Sequence, residues 1–216
     1  MAGNITAFEP QKRAKGRINV YLDGVFAFGL AELVAARLRV GMWLSDAEIA
    51  ALQLADEAAR AHERALHYLS YRPRSEAELR RYLLEHDFSE TAVADVLQRL
   101  SRAGLVDDAA FARYWVENRT QFRPKGRRVL VQELRQKGIA SQVIEQALAD
   151  YDEPAAAAQV AAAQARRLAH LPPDLFHRRL WARLARRGFA SDTIQEVLAT
   201  PPFSDAHTEE SEESLI

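Results

Sequence analysis

The sequence predicts a mainly α-helical protein, with tandem three-helix repeats in an elongated array and a small N-terminal β-hairpin module. One observation is a set of apolar positions that recurs three times at a period of 50 or 51 residues. Another is a helix-closing residue between two helical stripes in each copy. A third is a strand-like alternation near the N-terminus. A fixed period of this size is typical of repeats that bury their apolar faces against themselves and their neighbours.

The middle copy of the repeat runs from Arg123 to Leu148. Gly138 separates its two helical stripes and favours the left-handed conformation that ends a helix, as Gly188 does in the third copy. Asp87 occupies this place in the first copy and tolerates the same conformation. The matched apolar positions are predicted to form the repeat cores: Leu79, Leu83, Phe88, Val93 and Leu97; Leu130, Leu134, Ile139, Ile144 and Leu148; Leu180, Leu184, Phe189, Ile194 and Leu198.

Each repeat is predicted to begin with a further helix, which makes a three-helix bundle of about fifty residues. The candidates for this helix are residues 65–69, 111–115 and 155–168. Serines follow each helix stop, and we expect Ser89, Ser141 and Ser191 to cap the helices that come next. Two capping boxes, Ser45 with Glu48 and Ser75 with Glu78, mark earlier helix starts.

The N-terminal module is predicted from a short alternating stretch. Ile18, Val20 and Leu22 alternate with polar residues, and Asp23-Gly24 is a preferred two-residue hairpin turn before a return strand at 25–28. Residues 1–8 show no periodicity and are expected to be loose. Residues 30–38 are expected to be helical, with Gly41 as the stop.

These patterns divide the chain into five expected segments. They are the β-hairpin and helix module at 1–58, repeat one at 59–106, repeat two at 107–153, repeat three at 154–200 and an acidic tail at 201–216. The tail is expected to be disordered, because it is polar, acidic and poor in apolar residues. We also expect it to screen the arginines of repeat three from anions.

The composition excludes several classes of site. There is no cysteine, so disulfides, thiolate metal sites and cysteine nucleophiles are excluded, and a cytoplasmic location is expected. No apolar run is long enough to span a membrane, and no secretory signal is found. His62 and His67 are five residues apart, so they do not converge on one metal on a helix. No phosphate-binding loop or catalytic constellation is present. We therefore predict a non-enzyme without cofactors or metals.

The net charge of −1 hides a segregation of charge. Residues 119–137 hold seven basic residues and one acid, Glu133, whereas the tail holds five acids and no lysine or arginine. Arg72 and Arg74 lie in a proline-containing loop that recurs 51 residues later with Arg123 and Lys125. Such clusters suit phosphates and carboxylates. The predicted partner-binding residues, expected to be exposed charges, are Arg72, Arg74, Arg119, Arg123, Lys125, Arg127, Arg128 and Arg135.

Three stretches occur together and in order: Y-L-S-Y-R-P-R-S-E-A-E-L-R-R-Y-L at 68–83, L-V-D-D-A-A-F-A-R-Y-W-V-E-N-R at 105–119 and L-R-Q-K-G-I at 134–139. They resemble the RecX family, the regulatory proteins of the bacterial RecA recombinase. The resemblance covers about residues 17–200. It implies a cytoplasmic array of helical repeats without catalytic residues, which we expect to be a monomer. It also implies binding along the groove of the RecA–DNA filament, and restraint of filament growth, strand exchange and ATP hydrolysis. The acidic tail and the third-repeat loop, which lacks the basic pair, depart from the family pattern.

Two other readings of the residues stay open. A three-helix unit with a basic third helix could enter a DNA major groove, although the segment 142–148 is acidic or neutral. The second alternative is a helical-repeat scaffold that binds proteins without contacting DNA. Direct contact with single- or double-stranded DNA is compatible with the first of these and with RecA regulation.

Overall fold

The computed structural model describes residues 2–11, 16–200 and 203. The chain divides into two compact units, Met1–Val106 and Asp107–Ile216. The finer segment boundaries given above remain a prediction. The acidic tail lies outside the described residues, apart from Phe203.

The first unit begins with four strands: β1 Gly3–Pro10, β2 Arg17–Leu22, β3 Val25–Ala31 and β4 Trp43–Leu44. They form an antiparallel sheet in the order β3-β2-β1-β4. The predicted hairpin is confirmed, since Val20 pairs with Phe28 and both turn residues have positive φ. The expectation of a loose N-terminus was wrong for residues 3–8, because β1 pairs with both β2 and β4.

The helix expected at residues 30–38 is mostly absent. Strand β3 continues to Ala31, and α1 spans only Glu32–Ala35. The reason lies in the sheet: Leu30 is fully buried in its core, and the Ala31 amide donates to the Asp56 carboxylate at 2.5 Å. The local pattern of this segment favours a helix, but tertiary contacts hold its first residues in a strand.

Helix α2, Asp46–Ser70, connects the sheet to the first repeat. Its first half carries the buried Asp56, whose carboxylate also accepts two hydrogen bonds from Arg17 at 3.0 and 3.1 Å. Its second half places Ala61 and Ala65 in the core of repeat one. With 25 residues the helix is about 38 Å long, enough to serve both cores.

Repeat one is completed by α3 Glu76–Leu84 and α4 Glu90–Arg102. Both predicted capping boxes form, at Ser45 and at Ser75. The side chain of Ser89 accepts a hydrogen bond from the Ala92 amide and caps α4, as predicted. Asp87 closes α3 with a φ of 62°, so an aspartate takes the place that glycine takes in the other copies.

The second unit contains repeats two and three. Repeat two is α5 Asp108–Phe122, α6 Arg127–Gln136 and α7 Ser141–Ala147, and repeat three is α8 Glu153–Leu168, α9 Pro173–Arg186 and α10 Ser191–Leu198. The predicted core positions are buried in both repeats. In repeat one they are buried too, except for the partly buried Phe88. Gly138 and Gly188 both have φ of 81°, as expected of helix-closing glycines.

The cap prediction was wrong for Ser141 and Ser191. The N-cap residues are Ala140 and Ala190, neither of which has a side-chain cap, and the serines are the first helical residues. The physical reason is a shift of one residue between copies. Ser89 follows its helix stop by two positions, whereas Ser141 and Ser191 follow theirs by three.

Repeats two and three meet at a junction around two glycines. The Gly126 amide donates to the Arg187 carbonyl at 2.9 Å, and the Arg187 guanidinium donates to the Pro124 carbonyl at 3.1 Å. The Glu153 carboxylate accepts from the backbone amides of Arg127 and Ala190, both at 3.2 Å. One carboxylate therefore satisfies backbone donors at the starts of α6 and α10.

Candidate functional site

The predicted site residues lie on two loops and the helices beside them. We call residues 71–75 the first basic loop and residues 123–126 the second basic loop. The first lies between α2 and α3, and the second between α5 and α6. Each loop leaves a helix, passes a proline and enters the next helix through an N-cap, Ser75 or Gly126. The two loops belong to different compact units, and each is described by itself.

In the first basic loop Arg72 is an internal ion-pair partner. Its guanidinium donates to both carboxylate oxygens of Glu78, at 2.9 and 3.2 Å, and to the Pro73 carbonyl at 2.8 Å. Glu78 is 8% exposed and also belongs to the capping box of α3. A two-pronged bond to a buried carboxylate fixes the loop onto the helix. Arg72 is thus paired within the chain, and its predicted contact with a partner stays a prediction.

Arg74 is held in a different way, by stacking. Its guanidinium carbon lies 3.8 Å from the ring centre of Tyr68, and that ring stacks on Tyr82 with 3.8 Å between centres. Arg64 lies 5.8 Å from the other member of the stack, Tyr82. The Nε atom of Arg74 is buried without a hydrogen-bond partner in the described part of the chain. Stacking of this kind pre-orients a guanidinium plane.

The second basic loop replaces this stack with an ion cluster at the same three positions. Residues 68, 74 and 82 of repeat one correspond, 51 positions on, to Arg119, Lys125 and Glu133. Glu133 accepts hydrogen bonds from Lys125, from Arg119 at 2.8 Å and from Trp115 at 2.9 Å. Arg119 also lies 4.1 Å from the ring centre of Trp115. Two of the predicted binding cations are therefore held by one internal carboxylate.

Burial and hydrogen bonding act in opposite directions on Glu133. Burial alone would raise the pKa of this carboxyl, but the hydrogen bonds from Lys125, Arg119 and Trp115, with the charge of Arg119, lower the pKa below its ordinary value. The carboxylate is therefore ionised at neutral pH and neutralises part of the basic segment. Sequence reasoning missed this role, although a single acid among seven bases is a signal of an internal counter-ion.

Of the remaining predicted residues, Arg127, Arg128 and Arg135 lie on helix α6, and Arg123 lies in the second basic loop. The Arg127 guanidinium donates to the Leu148 carbonyl at 2.8 Å, so it ties α6 to the end of α7. Arg123, Arg128 and Arg135 are exposed, and none of them has an ion pair or side-chain hydrogen bond among the described residues. The structure thus separates five cations that have internal contacts from three that are available to a partner. We call Arg123, Arg128 and Arg135 the free arginines.

Comparison with known proteins identifies the architecture. The sequence matches family models for the regulatory protein RecX N-terminal domain at residues 3–45, and for the first, second and third RecX three-helix domains at 61–100, 107–148 and 150–198. The chain belongs to the RecX family. Its members are regulatory proteins rather than a known class of enzymes.

Curated RecX relatives match over most of the chain. The regulatory protein RecX of Levilactobacillus brevis is 40% identical over 91% of this chain and 75% of its own length. The protein of the same name from Halalkalibacterium halodurans is 33% identical over 95% of this chain and 81% of its own.

Two crystal structures support the same assignment. A regulatory protein RecX superposes with a TM-score of 0.71 at 35% identity, covering 93% of this chain and all of that one. RecX from Lactobacillus salivarius gives a TM-score of 0.60 at 26% identity, over 67% of this chain and 96% of its own. Within the part of the chain that the structure describes, no helix is long and apolar enough to cross a membrane, and no cluster of potential metal ligands is present.

Proposed function

We propose that this RecX-family chain binds the nucleoprotein filament of the RecA recombinase and restrains filament growth, strand exchange and ATP hydrolysis. It would thereby act in recombination, repair and the SOS response. In this proposal the chain acts in the cytoplasm as a monomer, and it has neither a cofactor nor a catalytic activity of its own. Its support is the family membership together with the three free arginines of repeat two.

The free arginines favour this function because they are exposed and have no internal partner among the described residues, whereas neighbouring basic residues are engaged within the chain. Arg119 and Lys125 are engaged by Glu133, so they are poor candidates for direct contact with an external anion. Arg128 and Arg135 lie seven positions apart on α6, which is about two helical turns, so they share a face of that helix. A filament of protein and DNA offers phosphates and carboxylates, both of which bind arginine.

Direct DNA recognition by a helix-turn-helix is less well supported. The helix in the third position of repeat two, α7, has seven residues and carries a glutamate but no basic residue. A recognition helix needs side chains that reach phosphates and base edges in the major groove. A scaffold that binds only proteins stays a second candidate, since helical repeats commonly serve in this way.

A binding experiment separates these functions. The labelled chain is titrated with single-stranded DNA, duplex DNA and a RecA filament on the same single strand, each at about 50 and 200 mM salt. We expect the filament to bind more tightly than either bare DNA at both salt concentrations. Equal affinity for bare DNA with a steep loss at higher salt would favour a DNA-binding protein instead. Absence of filament binding would overturn the proposal.

A further inference from the structure

An open groove runs along α6 on the second unit. One wall is the helix itself, and the other is the chain from Ala185 to Ser191, which closes α9 and starts α10. Val129 and Val131, both partly exposed, supply apolar surface, and Arg128 and Arg135 also line the groove. The groove has a volume of about 1110 Å³, so it is large enough for a peptide segment.

The charge of this groove is positive. Its lining contains three arginines, Arg127, Arg128 and Arg135, and one acid, Glu153, which gives a net charge of +2. Arg127 donates to the Leu148 carbonyl, and Glu153 accepts from two backbone amides. Arg128 and Arg135 are therefore the two charged residues of the groove that have no internal partner among the described residues. An apolar surface beside two available cations suits a segment that carries acids and apolar side chains together.

The chain itself contains such a segment. Residues 204–216 hold five acids and no lysine or arginine, and two apolar residues follow the acids. The relevant side chains are Asp205, Glu209, Glu210, Glu212, Glu213, Leu215 and Ile216.

The segment also starts within reach of the groove. Phe203 is buried in the core of repeat three and anchors the chain just before the segment. Ser191, which lines the groove, and Leu198 are the ends of α10, about 10 Å apart along the helix. Six residues beyond Phe203 span up to about 21 Å when extended, so Glu209 can return to the groove.

We propose that residues 204–216 dock in this groove, with their acids against Arg128 and Arg135 and their apolar residues against Val129 and Val131. This site differs from the third-repeat arginines that the sequence indicated as the screened surface. Docking covers two of the three free arginines, so the segment would compete with an external anionic partner. That regulatory consequence rests on the proposed function, whereas the docking does not.

The docking is tested without RecA. Since the chain has no cysteine, Ser211→Cys introduces a single site for a nitroxide spin label. We expect paramagnetic broadening of the backbone amides of Gln132, Gln136 and Ser191, which line the groove. The broadening should weaken at about 1 M salt, where the Debye length is about 3 Å. It should also weaken at least severalfold in the double variant Arg128→Ala/Arg135→Ala.

A matched control is Arg166→Ala/Arg167→Ala, which removes two exposed arginines of α8 that do not line the groove. This control should leave the broadening unchanged, and circular dichroism should show that all variants are folded. Broadening that is absent, uniform along the chain or insensitive to Arg128 and Arg135 would overturn the proposal. Broadening seen only when labelled and isotope-enriched chains are mixed would overturn it too, because the occupant would then be a second copy.

Discussion

At the scale of single residues, the basic segment of repeat two depends on one carboxylate. Glu133 accepts hydrogen bonds from Lys125, Arg119 and Trp115, so it determines which basic side chains remain available to an external partner. Counting charges along the sequence identified the basic segment correctly but could not tell internal from external partners. That distinction depends on which side chains meet across α5, the second basic loop and α6, and those contacts are tertiary.

The lowered pKa of Glu133 leads to a pH-dependent contribution to stability. A carboxyl whose pKa is lower in the folded than in the unfolded chain stabilises the fold fully above the unfolded pKa, about 4.3. This contribution is lost as the pH falls through the folded pKa. We expect urea unfolding to show a smaller loss of stability below about pH 4.5 in Glu133→Gln than in the parent.

The exposed Glu117 of α5 supplies the control for this measurement. Glu117→Gln should follow the pH dependence of the parent chain. If Glu133→Gln does so as well, the ion cluster does not contribute to stability in the way described.

The effect of truncating a core side chain on stability follows directly from its burial. Leu134 is fully buried in repeat two. Replacing it with alanine should lower the free energy of unfolding by roughly 2–5 kcal/mol, the range for truncated buried leucines. Gln132→Ala, an exposed change on the same helix, should alter it by less than about 0.5 kcal/mol. Equal unfolding midpoints for the two variants in denaturant would show that the repeat core is misassigned.

At the scale of elements, the helices were predictable and the sheet only in part. Capping boxes, helix-closing residues and apolar spacing are local signals, and they placed α2, α3 and the repeat cores correctly. Strand β1 has no local signal of this kind. It is a strand because β2 and β4 pair with it on its two sides, and only Gly3 and Ile5 in it are buried. The sequence pattern could not predict β1, because its strand conformation depends on pairing with residues that are distant in the sequence.

The junction of repeats two and three yields a prediction at the element scale. Gly126 has a φ of −64°, which alanine adopts easily, yet an added Cβ would collide with the Gly188 carbonyl. We expect Gly126→Ala to lower stability by about 1–3 kcal/mol through overpacking. It should also reduce the hydrogen-exchange protection of the amides of residue 126 and Arg127, which donate across this junction.

Gly104→Ala is the control for the junction. Gly104 has a φ of +68° and open space around it, so its replacement costs only backbone strain, about 1–2 kcal/mol. The two junction amides should keep their protection in this variant. Full protection of those amides in Gly126→Ala would contradict the close contact between the glycines.

At the scale of the whole molecule, the same repeat architecture carries different polar contacts. Positions 68, 74 and 82 form a cation–aromatic stack in repeat one, and their equivalents form an ion cluster in repeat two. In repeat three the equivalents are Ala169, Leu175 and Arg183, which provide neither. The apolar positions preserve the fold in each copy, while the polar positions differ. We therefore expect the repeats to differ in function, with repeat two providing the main contacts to an anionic partner.

The central claim is that the free arginines of repeat two contact the RecA filament. The most direct measurement is inhibition of RecA ATP hydrolysis by a triple variant in which Arg123, Arg128 and Arg135 are alanine. The control variant replaces three exposed arginines of repeat three, Arg166, Arg167 and Arg179. We expect the first variant to stay folded and to need at least about tenfold more protein for half-inhibition, equivalent to about 1.4 kcal/mol of binding free energy. Parental inhibition by that variant, or a larger loss in the control, would contradict the claim.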